Sequence, residues 1–306
     1  MSTLEHTASV PRKDGLEAKQ RRFWDENGFL ILPSFFSEDE IDAILRLHEH
    51  VWQVRPANVI VDDLIGGRRL RMNQVSETAR RKPYKVNDLY LTIPDIRRFA
   101  LDPRLTRLLA ELINDAPVLC NTLSLEFGSE QANHVDSLYM TPPRESALVA
   151  TWTALEDCHP DAGPLVYVPG SHNIPPYRFS NGRMTELAAE RGKWAAYIRE
   201  HVARLGLVEQ QFLPRKGDVF VWHGQLLHGG GKRNDPDRTR RSLVSHYFTE
   251  GDCRAEGYKI GREHDGYWMQ RPPQGASPAR RTTESLGRLI RRTGYAARKA
   301  MGTRRM

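Results

Sequence analysis

The hydrophobic pattern of this 306-residue chain changes its period near residue 115, and that change restricts the folds open to it. Before that point apolar residues recur at helical spacing, and Ser37 followed by Glu40 forms a capping box, which marks the start of a helix. After it, short apolar runs with strand character follow one another. Helices followed by many strands predict a mainly β fold, in which a helical N-terminal part packs on a β-barrel or β-sandwich.

The predicted elements have clear bounds. Helices are predicted at 16–27, 37–52, 94–101, 103–114 and 184–205, with Asp14 as the cap of the first helix and Gly28 as its end. Strands are predicted at 29–33, 118–127, 146–156, 164–168, 217–222 and 240–248. No strand is followed by a glycine-rich phosphate loop, so a Rossmann or P-loop fold has no support.

Composition excludes several classes of protein. Hydrophobic residues make up 39% of the chain and charged residues 27%, a balance typical of a globular protein. The longest apolar stretch, 147–155, is too short to span a bilayer, and the polar N-terminus lacks the apolar core of a secretory signal. Cys120, Cys158 and Cys253 form no CxxC pair, so neither a disulfide framework nor a thiolate zinc site is expected. We therefore expect a protein of the reducing cytoplasm.

The positive charge is concentrated at the C-terminus. Residues 276–306 contain nine Lys or Arg and one acid, a net charge of +8, whereas the whole chain carries +7, so the rest sums to −1. A near-neutral body argues against nucleic acid as a partner of the whole protein. We expect an N-terminal arm (1–15), one domain (16–275) and a basic helical tail (276–306). The tail either docks on its own domain or contacts an anionic membrane or a partner.

Two short segments carry candidate metal ligands. In an extended segment, side chains two residues apart point to the same side, so His134 and Asp136 can place a nitrogen and an oxygen on one metal ion. His228 follows the apolar run at 219–222 and can complete the set from a neighbouring strand. Two histidines and one carboxylate form the facial set of non-haem Fe(II), which leaves open positions for oxygen chemistry. These residues alone leave open that the histidines are hydrogen-bonded core residues.

Twelve residues after His228 lies a candidate anion clamp. Arg240 and Ser242 share one face of the last predicted strand, and a guanidinium forks onto a carboxylate through two parallel hydrogen bonds. An arginine inside a barrel needs such an anion, because burying an unpaired charge is unfavourable. On these residues alone, Arg240 and Arg241 are equally well explained as surface charges of the basic run 232–241.

Several blocks in a fixed order resemble one known family. They are residues 23–33 (FWDENGFLILP), 134–136 (HVD), 152–157 (WTALED), 163–165 (GPL), 168–172 (VPGSH), 216–220 (KGDVF) and 240–242 (RRS). The chain resembles the phytanoyl-CoA dioxygenase family of Fe(II)- and 2-oxoglutarate-dependent oxygenases, which includes ectoine hydroxylase. The resemblance implies a double-stranded β-helix, or jelly roll, with flanking helices. It also implies oxidation of a small-molecule metabolite, with O2 consumed and succinate and CO2 released.

The resemblance assigns roles to individual positions. It places the iron ligands at His134, Asp136 and His228, and the arginine that binds the distal carboxylate of 2-oxoglutarate at Arg240, with Arg241 as the alternative. Further residues are expected to line the co-substrate pocket, and two more to shape the substrate mouth. The pocket residues are Trp152, Ser242, Lys85 and Asn121, and the mouth residues are Tyr139 and Met140.

Two departures from the family pattern caution against assigning phytanoyl-CoA as substrate. Many members have Gln where this chain has Val135, and a serine where it has Gly230. Asp136 is retained, which favours oxygenation over halogenation. Of the other histidines, His223 is the alternative distal ligand, and His172 and His246 are expected in a turn and on the barrel wall, respectively.

Three other functions stay open at this point. They are a non-catalytic metal-binding jelly roll that binds a ligand, a cupin-type metal hydrolase or isomerase, and an adaptor that acts through its basic tail.

Overall fold

The computed structural model describes residues 16–76, 80, 82–144 and 147–275. Six α-helices lie within these ranges: α1 (Ala18–Asn27), α2 (Glu38–Val54), α3 (Pro94–Ala100), α4 (Pro103–Ile113), α5 (Arg191–Arg204) and α6 (Glu250–Ala255). Helix α2 begins with the predicted capping box. The Glu40 amide donates to Ser37 Oγ (3.3 Å), and the Ser37 amide donates to Glu40 Oε2 (2.7 Å).

Two predicted helix starts are wrong. Helix α1 has Glu17 rather than Asp14 at its N-cap, where the Glu17 amide donates to Gln20 Oε1 (2.9 Å); Asp14 itself lies outside the described residues. Its predicted end is confirmed, because Gly28 adopts the left-handed conformation (φ 77°) that favours glycine. The helix predicted from residue 184 begins only at Arg191, since the Glu186 amide instead donates to Leu138 O (3.0 Å) and holds this segment beside the 134–140 loop.

Thirteen strands lie within the described residues. They are β1 (Phe29–Leu32), β2 (Ile60–Asp63), β3 (Arg68–Arg71), β4 (Tyr84–Asn87), β5 (Pro117–Leu125), β6 (Val149–Ala154), β7 (Leu165–Tyr167), β8 (Gln210–Phe212), β9 (Val219–His223), β10 (His228–Gly230), β11 (Ser242–Thr249), β12 (Ile260–Glu263) and β13 (Gly266–Met269). Six of these match the six predicted strands.

The strands form two sheets. The larger sheet has the order β1-β9-β6-β11-β5-β4-β2-β3, with β13 beside β5 and β12 beside β13, and the smaller has the order β10-β7-β8. All neighbouring pairs are antiparallel except β13 and β5. The predicted fold class, a mainly β jelly roll with flanking helices, is confirmed by this arrangement.

Both faces of the central strands are buried. In β9, Phe220 and Trp222 face the smaller sheet, whereas Val219 and Val221 pack towards the N-terminal helices. Because side chains alternate along a strand, Trp152 in β6 and Val244 in β11 also point between the sheets. The space between the two sheets therefore holds the side chains that surround the candidate site.

The predicted division into arm, domain and tail remains a prediction, because residues 1–15 and 276–306 lie outside the described residues. The predicted tail helix lies there too. Among the described helices, none has the length and apolar character needed to cross a membrane.

Candidate functional site

His134 and His228 are brought together by the backbone. They form an isolated antiparallel bridge in which each amide donates to the carbonyl of the other residue, at 2.8 and 3.0 Å. His228 opens β10, but Asp136 begins a single 3-10 turn, so the His134–Asp136 pair does not lie on a regular strand. Val135 between them is extended (φ −115°, ψ 142°), and the two side chains still converge.

His134, Asp136 and His228 form a buried group suited to a metal ion. One donor atom from each lies within 4.8 Å of the other two. Asp136 Oδ1 is 3.9 Å from His134 Nε2 and 3.6 Å from His228 Nε2. Two imidazoles and one carboxylate are the donor set that holds Fe(II) in non-haem oxygenases, so the residues present fit iron.

Hydrogen bonds fix the tautomer of both imidazoles. His134 Nδ1 lies 2.9 Å from Ala132 O, and His228 Nδ1 lies 2.9 Å from Leu226 O. A carbonyl oxygen only accepts, so each Nδ1 carries a proton, and Nε2 is the ring atom left to bind a metal. Burial, together with the charge of His228, lowers the pKa of His134 to about 3, which keeps its ring neutral at physiological pH.

Asp136 has two further neighbours that sequence analysis missed as site residues. Trp222 Nε1 donates to Asp136 Oδ2 (2.8 Å), and His246 Nε2 lies 3.5 Å from Asp136 Oδ1. Burial raises the pKa of this carboxyl, but the imidazoles of His228 and His246 outweigh burial and hold the pKa below its usual range. The sequence signal for both residues was the alternation of side chains along a strand. Trp222 lies on the same face of β9 as Phe220, and His246 lies on the same face of β11 as Val244.

The metal group opens into a cavity of about 530 Å³ between the sheets. Most of the predicted pocket and mouth residues contribute to its wall. Those that line it are Lys85, Asn121, Tyr139, Met140, Trp152 and Arg240, and Ser242 is the exception.

Arg240 is a buried cation that has no acidic partner within the described ranges. It is 3% exposed, its Nη1 donates to Gly163 O (2.7 Å), and its Nε has no hydrogen-bond partner among the described residues. Trp152 packs beside the guanidinium, with 5.7 Å between its ring centroid and Cζ. Burial lowers the pKa of Arg240 to about 10, so the side chain remains charged at neutral pH. An anionic ligand is the partner that such a group requires.

Arg241 has the opposite environment. Its side chain is 40% exposed and lies near Glu126 (3.3 Å) and Glu156 (3.9 Å). It lines a different cavity, of about 320 Å³, beside α2. This placement favours Arg240 over Arg241 as the carboxylate clamp.

Ser242 and Trp152 each bury a polar side-chain atom that makes no hydrogen bond to the described residues. Ser242 is fully buried at the start of β11, and neither its hydroxyl nor the Trp152 indole nitrogen has a hydrogen-bond partner within the described part of the chain. Buried polar groups without partners are rare, so these two atoms are consistent with a polar ligand near Arg240.

Lys85 in β4 and Asn121 in β5 line the cavity from the larger sheet. Lys85 Nζ donates to Gln131 Oε1 (2.7 Å), and Gln131 Nε2 lies 3.3 Å from His134 Nε2. Asn121 Nδ2 donates to the buried Asp88 (2.9 Å), and Asn121 is the cross-strand neighbour of His246. Sequence analysis missed Gln131, which bridges the lysine and a candidate ligand.

Tyr139 and Met140 lie at the open side of the cavity. Tyr139 is 46% exposed, and its ring centroid is 5.5 Å from that of His134. Arg191, the first residue of α5, donates to the Tyr139 hydroxyl (3.3 Å). This position, next to the metal group and reachable from solvent, fits the predicted substrate mouth.

The remaining histidines lie elsewhere. His172 and His223 pack together, with ring centroids 5.5 Å apart, and neither belongs to the metal group. His172 lies in the 3-10 turn Ser171–Asn173, as expected of a turn residue.

Gly230 stands where the family pattern often has a serine, and the structure gives a steric reason for the glycine. A Cβ at this position would lie 2.7 Å from Ser129 Oγ and 2.8 Å from the Glu130 amide nitrogen. The 129–131 segment therefore packs too closely on β10 for the serine that many family members have there.

The sequence model of a protein family described as phytanoyl-CoA dioxygenase (PhyH) matches residues 24–242. The chain belongs to this family. The peroxisomal phytanoyl-CoA dioxygenase of Mus musculus is 25% identical to it over 262 residues, which cover 78% of this chain and 70% of that protein.

Solved structures share the fold of this phytanoyl-CoA dioxygenase family member. The epimerase SnoN in complex with Fe3+, alpha-ketoglutarate and nogalamycin RO has 18% identity and a TM-score of 0.56, with 83% of this chain and 98% of that chain covered. EctD from S. alaskensis with 2-oxoglutarate and 5-hydroxyectoine has 19% identity and a TM-score of 0.55, with 80% of each chain covered.

The predicted family is confirmed by the match over residues 24–242. The predicted enzyme class, an Fe(II)- and 2-oxoglutarate-dependent dioxygenase, is confirmed by membership of the family together with the buried His–Asp–His group. The roles of individual residues and the identity of the substrate remain predictions.

Proposed function

We propose that this phytanoyl-CoA dioxygenase family member holds Fe(II) with His134, Asp136 and His228, binds 2-oxoglutarate through Arg240, and hydroxylates or otherwise oxidises a small-molecule metabolite. One observation carries the proposal. The ligand group lines the same cavity as Arg240, a buried arginine for which the described part of the chain offers no acidic partner.

When bound, iron and 2-oxoglutarate supply the oxidising chemistry, which uses O2 and releases succinate and CO2. The protein supplies binding and orientation. The imidazoles of His134 and His228 and the carboxylate of Asp136 offer lone pairs to the metal, and the carbonyls of Ala132 and Leu226 hold the two rings so that Nε2 is the donor atom.

The co-substrate end of the cavity is built around Arg240. Its guanidinium binds the distal carboxylate of 2-oxoglutarate, and Trp152 holds that guanidinium in place from one side. Ser242 was also predicted for this clamp, but it does not line the cavity, so the clamp proposed here rests on Arg240. Lys85 and Asn121 provide an ammonium and an amide on the wall that the larger sheet forms.

The substrate enters past Tyr139 and Met140. Their position at the open side of the cavity lets them contact a substrate next to the metal group, while the buried walls exclude water from the far end.

The test is turnover of 2-oxoglutarate by the purified full chain with Fe(II) and a fractionated metabolite extract, followed by succinate release and mass spectrometry. We expect O2-dependent succinate release and a metabolite that gains one oxygen atom, and no turnover by Asp136→Ala. Ligand binding without succinate release indicates a binding protein, and turnover without O2 indicates a cupin-type hydrolase or isomerase. Either result contradicts the proposal.

We also propose a cytoplasmic location and no nucleic-acid partner. The three cysteines are buried and free, which supports a reducing compartment. Contact of the basic tail with an anionic membrane or a partner is a proposal about residues outside the described ranges.

A further inference from the structure

The two oxygens of Asp136 have different environments. Oδ2 accepts a hydrogen bond from Trp222 Nε1 at 2.8 Å, and both side chains are buried. Oδ1 instead faces the Nε2 atoms of His134 (3.9 Å), His228 (3.6 Å) and His246 (3.5 Å). An indole N–H can only donate, so Trp222 engages Oδ2 and leaves Oδ1 to face the ligand nitrogens.

Trp222 is fixed more firmly than Asp136. It lies in β9 between β1 and β6, where its backbone pairs with Phe29 on one side and Ala150 on the other. Its side chain is 2% exposed, with the Phe220 ring 5.9 Å and the His228 ring 5.1 Å away. Asp136 begins a single 3-10 turn outside both sheets. The hydrogen bond therefore ties a ligand on a loop to the centre of the larger sheet.

From this geometry we infer that Trp222 is a positioning residue for the metal centre: its indole N–H restrains Oδ2, so that Asp136 binds the metal through Oδ1 alone. The inference rests on the proposed function, because it takes Asp136 as a ligand. With two imidazole nitrogens and one carboxylate oxygen bound, three of six octahedral positions stay open for a chelating co-substrate and O2. A carboxylate that bound through both oxygens would occupy one of them.

The test uses Co(II) as the metal probe, because its visible absorption reports both affinity and coordination number. Full-length protein freed of metal is titrated with Co(II) as wild type and as Trp222→Phe, which keeps an aromatic ring and removes the donor. Loss of the partner of a metal ligand typically weakens metal binding ten- to a hundredfold. We expect a Co(II) dissociation constant raised by about tenfold or more, and a changed absorption spectrum, since Oδ2 is released.

Trp52→Phe is the matched control. Trp52 lies in α2 and packs against Tyr84 and Arg80, outside the metal cavity. This variant removes the same atoms from another tryptophan, so its dissociation constant and spectrum should equal those of wild type. Thermal unfolding of the metal-free proteins shows whether each variant is folded.

A second measurement avoids a variant of Trp222. The chain has six tryptophans, and Trp152 is the other one that lines the cavity. In Trp152→Phe protein labelled with 15N-tryptophan, we expect one indole N–H that is protected from exchange without metal and shifts when Zn(II) is added. Absence of such a signal overturns the inference, even when Trp222→Phe fails to fold.

The outcomes separate the inference from the proposed function. Wild type that binds no Co(II) overturns both. Wild type and Trp222→Phe that bind Co(II) with the same constant and spectrum overturn only the role of Trp222. Weaker binding with a changed spectrum in Trp222→Phe, and neither change in Trp52→Phe, supports it.

Discussion

Arg240 and Arg241 are neighbours in the chain, but their side chains lie in two different cavities. Arg240 is buried beside Trp152 in the cavity of the metal group, whereas Arg241 pairs with Glu126 beside α2. The amide of Arg240 donates to Glu126 O and that of Arg241 to Glu156 Oε1, which holds the two residues in this arrangement. Of the two, Arg240 alone lies where it could reach a ligand in the cavity of the metal group.

We predict that Arg240→Lys weakens 2-oxoglutarate binding and that Arg241→Lys does not. A lysine keeps the charge and loses the planar fork that binds a carboxylate through two hydrogen bonds. A hydrogen bond to a charged group contributes about 2 kcal/mol, which corresponds to roughly thirtyfold in Kd. Calorimetric titration with Fe(II) replaced by Zn(II) measures the effect, and equal Kd values for the two variants would show that Arg240 is not the clamp.

The sequence predicted the central strands because they are buried on both faces and are rich in apolar and β-branched residues. Strands β6, β9 and β11 are of this kind, and each matches a prediction. Strand β3 could not be found in this way, because three of its four residues are exposed arginines. It pairs with β2 in a hairpin supported by the ion pair between Asp62 and Arg69.

The candidate ligands could be predicted from spacing and from resemblance, but their neighbours could not. Strand alternation places Trp222 and His246 on faces that point between the sheets, but it does not report their contacts with Asp136, which lies far away in the sequence. Arg240 and Arg241 are equivalent in sequence, and only the register of β11 against β5 and β6 separates their environments. Contacts of this kind depend on tertiary packing, which a single sequence does not reveal.

We predict that a metal ion stabilises the protein against unfolding. A metal that binds only the folded state adds about 2.7 kcal/mol when its free concentration is a hundred times its Kd. Denaturant titration with and without Zn(II) measures this gain, which should be lost on chelation. Asp136→Ala should unfold at the same denaturant concentration with or without metal; a gain as large as that of wild type would contradict the assignment of Asp136 as a ligand.

We predict that Gly230→Ser destabilises the protein and weakens metal binding. The added side chain would press on Ser129 and Glu130 and displace β10, which begins at the candidate ligand His228. Overpacking of this kind typically costs about 1–3 kcal/mol of folding stability.

Gly192→Ser is the matched control for this variant. Gly192 lies in α5, where an added Cβ meets nothing within 4 Å. Denaturant unfolding and Co(II) titration measure both variants, and equal Co(II) affinity in Gly230→Ser and wild type would show that β10 tolerates the larger residue.

We predict that His223 makes the protein less stable in acid. Burial, with the charge of His172, lowers the pKa of His223 from 6.5 to about 4. Because the folded-state pKa is lower than the unfolded one, the unfolded chain takes up the proton first, and stability is lost as the pH falls from about 6.5 towards 4. Each pKa unit corresponds to about 1.4 kcal/mol, so the loss amounts to at most about 3.5 kcal/mol. Denaturant unfolding of metal-free protein at several pH values should show a smaller loss of stability for His223→Gln than for wild type.

The control variant is His159→Gln, which alters an exposed histidine and should behave as wild type does. An identical pH dependence in His223→Gln and wild type would show that the acid sensitivity arises elsewhere.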